Sequence, residues 1–387
     1  MASERAGVIP KPDLTELEGR TYSCIEGCAL CCLCQPELLP NEERVFNGDP
    51  DLRRGVVSAH ISPDVRGAAL RLKGSHGACH FLTERRCSIY DRRPHFCRTF
   101  PLNVFVGWRI QLNANLSCRG LDLPGVDLSS LGIELLSEYG NRRLSRELSS
   151  AAKVFAQFEN NANDASVSQS TASVRGAVSI LGDELTDDIG LSRLMTYAEY
   201  GNTAQDSPPA DLVRAVREAE PEADIHQRAL IDGVELFDLA DLSHLPVYVA
   251  PDLSWKLFRL KGGSIIGWEL EDSGETREFC KIDPTSVDLL PLTTRGRRAL
   301  QRYIDIVNAR DCFLGHAAYL CDLEGYEFNF GQVYIGAIAN SAIDLWWRAS
   351  LMAQLAGADS LGRDEIREGV IFFDMDMLDL PTIGAFI

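Results

Sequence analysis

Apolar residues change their spacing several times along this chain. Between Arg119 and Phe158 the second half of the stretch has helical spacing, with Leu135, Tyr139, Leu144, Leu148 and Ala152 near one face. Residues 159–173, "ENNANDASVSQSTAS", hold almost no large apolar side chain and read as a linker or long loop. Residues 174–245 read as mostly helical; "SPPADLVRAVREAE" opens on Pro then Asp and stops at Pro221. The pattern then switches to period two: Trp255, Leu257 and Arg259 precede Gly-Gly, and Ile266, Trp268 and Leu270 precede Asp-Ser-Gly. That alternation predicts two or three antiparallel strands in a meander near 247–282. Two long apolar-periodic helices are expected over Thr293–Gly325 and Gly331–Gly357, and the apolar end, "GVIFFDMDMLDLPTIGAFI", is expected to dock. Nearer the start, "VFVGWRIQL" reads as a strand, and Pro94 and Pro101 bracket a stiff extended stretch.

These patterns give an α+β class: an N-terminal cysteine-rich metal-binding domain, 1–158, then a linker or long loop, 159–173, then a mainly helical domain, 174–387, carrying the antiparallel strands. A length of 387 residues suits two or three domains. The net charge of −18 argues against a nucleic-acid or anionic-membrane partner. Charge is unevenly spread, for Asp51–Arg119 holds twelve Lys/Arg and only four Asp/Glu. "MASERAGVIPKPDLTE" has no apolar signal region, and the longest apolar run is broken by Asp344 and Arg348, so no membrane span is expected and the location is expected to be cytoplasmic.

That setting changes how the twelve cysteines are read. In a reducing compartment metal binding or catalysis is a better account of them than disulfides. Five fall in "CIEGCALCCLC", and the pair Cys31–Cys32 follows neither the helical nor the strand period of a core. Thiolates are soft donors suited to zinc and iron–sulfur clusters, and a loop with two or three residues between thiols, relaxed by Gly27, lets several sulfurs face one point. Further ligands are expected downstream, where Cys79, Cys87, Cys97 and Cys118 stand; Cys34 lies beyond the tight loop and is left out. Eight thiolates could serve two tetrahedral ions or two four-iron clusters. Arg85, Arg86, Arg92, Arg93 and Arg98 could offset cluster charge or form a solvated basic face. His76, His80 and His95 are read as ordinary, partly exposed histidines.

The order C-x3-C-x2-C-C, then C-x-F-L, then C-x-I-Y-x-x-R-P-x-x-C-R-x-F-P, then C-x-G resembles the CxxCxxCC (YkgJ-like) family of zinc- or iron-chelating cysteine-cluster proteins over about residues 20–122. The resemblance makes Cys24, Cys28, Cys31, Cys32, Cys79, Cys87, Cys97 and Cys118 the family's cysteines, with one extra residue in the first spacing. Some members resemble flagellin lysine-N-methylases, which implies an iron–sulfur protein acting on a protein substrate.

Three functions stay open: an iron–sulfur protein (4Fe-4S) with redox or protein-modifying, methylase-like activity; a structural zinc adaptor that binds a partner subunit; and, as a lesser alternative, a radical S-adenosylmethionine-like enzyme, since Cys24, Cys28 and Cys31 share that C-x3-C-x2-C spacing. Against the last stand Leu30 before the third cysteine, the crowding by Cys32, and a pattern without strand–helix alternation. No catalytic residue is assigned, so enzyme activity stays undecided. Cys312, His316 and Cys321 read as a core helix, Trp346 and Trp347 as packing or pocket walls, and Asp374, Asp376 and Asp379 as a solvated face.

Overall fold

The structure is a computed structural model that describes residues 9–62, 65–239 and 245–387. The first eight residues of the expected 1–158 domain and residues 240–244 of the expected helical stretch lie outside these. Among the described residues are thirteen α-helices and several small antiparallel sheets, with the cysteine-rich part at the N-terminus, so the α+β class holds. Every named strand pair is antiparallel, and the parallel barrel that a radical enzyme of this kind would use is not seen among the described residues.

Up to Asp127 the backbone is held mostly by short hairpins and single turns of helix. "VFVGWRIQL", expected as one strand, folds as a hairpin of Leu102–Val106 and Ile110–Ala114. The chain reverses at Gly107, whose N–H donates to Arg109 O at 2.9 Å, because both arms carry apolar residues that must reach one core. The stretch between Pro94 and Pro101 is also shorter and more coiled than expected: His95–Thr99 is a helical turn. Proline restrains only the residue before it and its own φ, so a turn can begin directly after Pro94.

The meander has four strands, Val247–Val249, Trp255–Lys261, Ser264–Leu270 and Thr276–Ile282, in sequence order. Lys261 pairs with Ser264 around Gly262 and Gly263, whose φ values of +58° and +75° suit a two-residue turn with both centres left-handed. This sheet steadies the cysteine region. Trp255 is fully buried and donates its indole N–H to Cys28 O at 2.8 Å. The Arg85 guanidinium lies 3.5 Å from the Trp255 ring centroid and pairs with Asp272 at 3.1 Å.

Helices Thr171–Ile180, Asp188–Tyr200, Pro209–Glu218 and Ile225–Phe237 fill most of the expected helical stretch. The expected linker 159–173 is mostly helix. Asn141–Asp164 runs into it and Thr171 begins the next helix, while the turn between is pinned by Val167 N–H to Ala162 O and Phe330 N–H to Val167 O, both 2.9 Å. Ala162 is buried, and small or polar residues around it suffice for a helix whose other face is wet.

Helix Phe330–Leu355 forms as expected and is buried on nearly all sides. The other long helix breaks into Thr294–Ala309 and Asp311–Leu323. The break is at Arg310, whose backbone is extended and whose side chain is fully buried. Its guanidinium donates to Glu16 at 2.8 and 3.0 Å, to Asp374 Oδ1 at 2.7 Å and to Ala114 O at 2.9 Å. Asp374 also accepts from Tyr303 Oη at 2.7 Å and from Leu116 N–H at 2.6 Å. The expectation of a solvated acidic face therefore fails at two of three positions: Asp374 is fully buried, and Asp376 pairs with the buried Arg348, whose second partner is Asp344 at 2.7 Å. Only Asp379 is exposed. Alternation of acid and apolar residues shows the period of a surface, and a buried arginine on another helix is invisible to it. The end of the chain docks: Arg363–Met377 is a helix, and Ala385–Phe386 adds a strand to Leu102–Val106.

Two stability tests follow from these buried contacts. Asp374→Ala should lower unfolding stability by about 3–5 kcal/mol in urea denaturation, since it removes one of the two carboxylates that balance the buried Arg310 and leaves Tyr303 and the Leu116 N–H without their acceptor, whereas Asp374→Asn, which keeps an acceptor in place, should cost less. Trp255→Phe should cost about 1–3 kcal/mol by leaving the Cys28 carbonyl without its donor, and Trp255→Ala more.

Candidate metal centre

The first cysteine loop is fastened at both ends. Thr21–Tyr22 pairs with Val126–Asp127, and Ser23 N–H donates to Gly120 O at 3.0 Å, which lays the chain entering Cys24 alongside the chain leaving Cys118. Gly27 has φ +85° and Ala29 φ +49°, so the loop reverses tightly before Leu30–Cys32 closes one turn of 3-10 helix. Cys79 N–H donates to Cys32 O at 2.7 Å and joins the second motif to the first. Cys87 sits on the hairpin Leu82–Thr83/Arg86–Cys87, opposite Leu82, and Cys97 on the helical turn after Pro94.

A cavity of about 440 Å³ opens between these pieces. Cys24, Cys31, Cys32, Cys34, Cys79, Cys87 and Cys97 line it, among Leu70, Leu82 and Ile89. Cys34, passed over on its spacing, is thus part of the wall; the signal was the third cysteine of C-C-x-C. Cys28 and Cys118 are buried and do not line this cavity; Cys118 lines a separate one with Arg20 and Tyr303. Burial pushes the Cys118 thiol up to about 12, and the nearby Cys28, Cys31 and Cys24 push the same way. Cys28 is raised by burial and by Cys31 and Cys24.

On the other side burial raises Cys79 to about 11, helped by Cys87 and Cys31. Burial also raises Cys97, with Cys79, Cys31 and Cys87 as its charged neighbours. Cys32 is raised by donating its hydrogen to Cys31, by burial, and by Cys31, Cys79 and Cys87. Cys31 moves downward, because its sulfur accepts from Cys32 and faces Arg93. The eight expected thiols therefore fall into two neighbourhoods: Cys24, Cys28, Cys31 and Cys118; and Cys32, Cys79, Cys87 and Cys97. Cys31 touches both. These are sets of adjacent thiols, since among the described residues no three His, Cys, Asp or Glu side chains are drawn round one point. The donor type fits soft metals: seven cysteines line the cavity, and among the described residues Glu26 is its one carboxylate.

Most of the arginines have acidic partners, including Arg85 and Arg86, which line the cavity. Arg92 pairs with Asp49 at 2.8 Å, Arg98 grips Glu138 through two bonds of 2.8 and 2.6 Å, and Arg86 pairs with Glu26. Arg93 stacks 3.7 Å over the Tyr90 ring, donates to Tyr90 O at 3.0 Å, and has no carboxylate partner among the described residues, so its charge is left to face the thiols. The histidines are not in the wall. His76 bonds Gly274 O at 2.8 Å, His80 packs edge-on to Phe81, and His95 is buried, contrary to expectation, with its backbone N–H on Glu42 at 2.7 Å. Cys312 and Cys321 are buried in the helical core, and His316 bonds Pro381 O at 2.7 Å.

No curated protein and no solved structure matches the chain. Residues 23–119 match the model of the CxxCxxCC family, described as a "Putative zinc- or iron-chelating domain". From the residue before Cys24 to the residue after Cys118, about a quarter of its length, the chain carries a domain of that family.

Proposed function

We propose that this chain is an iron–sulfur protein with redox activity, holding two four-iron clusters on the two neighbourhoods of four thiols. The observation that carries the reading is the gathering of thiols about Cys31: Cys28 and Cys118 neighbour it together with Cys24, Cys79 and Cys97 neighbour it together with Cys87, and its sulfur accepts from Cys32. The two sulfurs of the doublet are within hydrogen-bond reach of one another, so they would stand at the shared edge of two neighbouring centres, one thiolate to each. A lone zinc ion needs four sulfurs at about 2.3 Å from one point. A cluster spreads its thiolates over a wider body, and thiols facing one another across a cavity suit that better.

When bound, such a cluster supplies one-electron transfer. The chain's own residues set the conditions for it. Leu70, Leu82 and Ile89 keep the surroundings apolar, and Arg93 places a positive charge beside Cys31, Cys87 and Cys97, which favours the more reduced, more negative state.

Protein purified without oxygen should be brown, absorb near ~400 nm, and carry about eight iron and eight sulfide per chain. A colourless protein with about two zinc ions per chain would instead establish a zinc module. Cys31→Ser and Cys32→Ser should each remove about half the iron, the double substitution nearly all, and Cys312→Ser none. Equal and complete loss from either single substitution would mean one shared centre.

A further inference from the structure

A second feature lies on the helical side of the molecule. Arg295, Arg298 and Arg302 recur at i, i+3 and i+7 on helix Thr294–Ala309 and so share a face. Arg363 and Arg367 stand one turn apart at the start of helix Arg363–Met377. The two helices begin side by side, because Thr293 donates to Leu361 O through its N–H at 2.9 Å and through its hydroxyl at 3.0 Å.

Arg295, Arg298, Arg302 and Arg363 wall a cavity of about 360 Å³. Next to it is a second cavity of about 340 Å³, which shares Arg302 and Arg363, adds Arg20 and Arg367, is lined by the apolar Ile306, Ile366 and Val370, and reaches Cys118 on the side of the cysteine region. Among the described residues none of the five helix arginines has a hydrogen-bond or ion-pair partner. The nearby acids are occupied or set aside: Asp122 lines the apolar cavity and pairs with Arg20 at 3.8 Å, and Glu365 accepts from Gly362 N–H at 2.9 Å. Elsewhere in this acidic chain arginines are mostly paired. All four guanidiniums are exposed to water, which screens their mutual repulsion, and they leave their donors free for the forked, charge-assisted bonds that a multiply charged anion accepts. Two helix N-termini add in the same sense.

We propose that the paired cavities bind a small phosphorylated molecule with an apolar or aromatic body. Its phosphates lie among Arg295, Arg298, Arg302 and Arg363, and its body lies over Ile306, Ile366 and Val370. A single carboxylate would leave most of this charge unmet. A polynucleotide would meet the net charge of −18 on the rest of the surface, and two joined spaces of this size suit a small molecule.

The test is calorimetric titration of the full-length, metal-loaded protein with ADP, pyrophosphate and adenosine in turn. ADP should bind more tightly than either fragment. Arg302→Gln and Arg363→Gln should each weaken ADP by about tenfold or more, while the exposed Arg146→Gln should not. Although Cys118 lines the apolar cavity, neither Arg302 nor Arg363 bonds it among the described residues, so iron content should be the same in all four proteins; ADP binding lost with iron retained, or iron lost with ADP binding retained, separates a failure here from a failure of the iron–sulfur reading. Equal ADP affinity of wild type and both cavity variants, adenosine or pyrophosphate binding as tightly as ADP, or no ADP binding would each overturn the proposal.

Discussion

A fully buried guanidinium is among the costlier groups a fold can contain, and here it is the point on which the two parts of the chain converge. Arg310 reaches Glu16 from the first described segment, Ala114 from the hairpin behind the cysteine region and Asp374 from the last helix. Tyr303 and the Leu116 N–H complete the shell of Asp374. Charges removed from water are tolerated only when geometry and hydrogen bonding are complete. The cluster therefore fixes where the N-terminal hairpin sits against the helices, and with it the chain that leads through Ser117 to Cys118. The Ser117 hydroxyl in turn accepts from Met375 N–H at 2.9 Å.

The thiols depend on a different kind of support. Their loop has little regular structure of its own and leans on neighbours: Trp255 from the meander under Cys28, Gly120 beside Ser23, and the Cys79 N–H on Cys32. The chain thereby spends rigid elements, a sheet and a hairpin, on holding irregular backbone in place. A site built this way keeps its donors near one another without packing them shut, which leaves room for a body larger than a single ion.

How much of this was legible in the sequence depends on the range of the signal. The meander and its Gly-Gly turn were written locally, as were the helix starts at Pro209 and the cysteine spacings. The number of strands, the break at Arg310 and the burial of Asp374 were not, because each is decided by a partner far along the chain. The linker was misread for a related reason: polar residues with one buried Ala162 make an adequate helix once a neighbour covers that face. Cys34 was excluded by spacing within the loop, whereas its place in the cavity wall comes from how the loop lies against Cys79, Cys87 and Cys97. The arginine-walled cavity left almost no trace, since Arg298 and Arg363 are separated by two whole helices in sequence and meet only because two helices start together.

The strand Ala385–Phe386 closes the sheet begun by Leu102–Val106, and Asp374 closes the charge cluster begun by Glu16. During synthesis the N-terminal residues of each pair emerge long before their partners. Until residues 374–386 have been made, Arg310 lacks half of its carboxylate shell and the cysteine-bearing segment has no final wall to rest against. The segment that carries the sulfurs thus takes its final place only when residues far along the chain, 374–386, pack against the hairpin and the Arg310 cluster beside it.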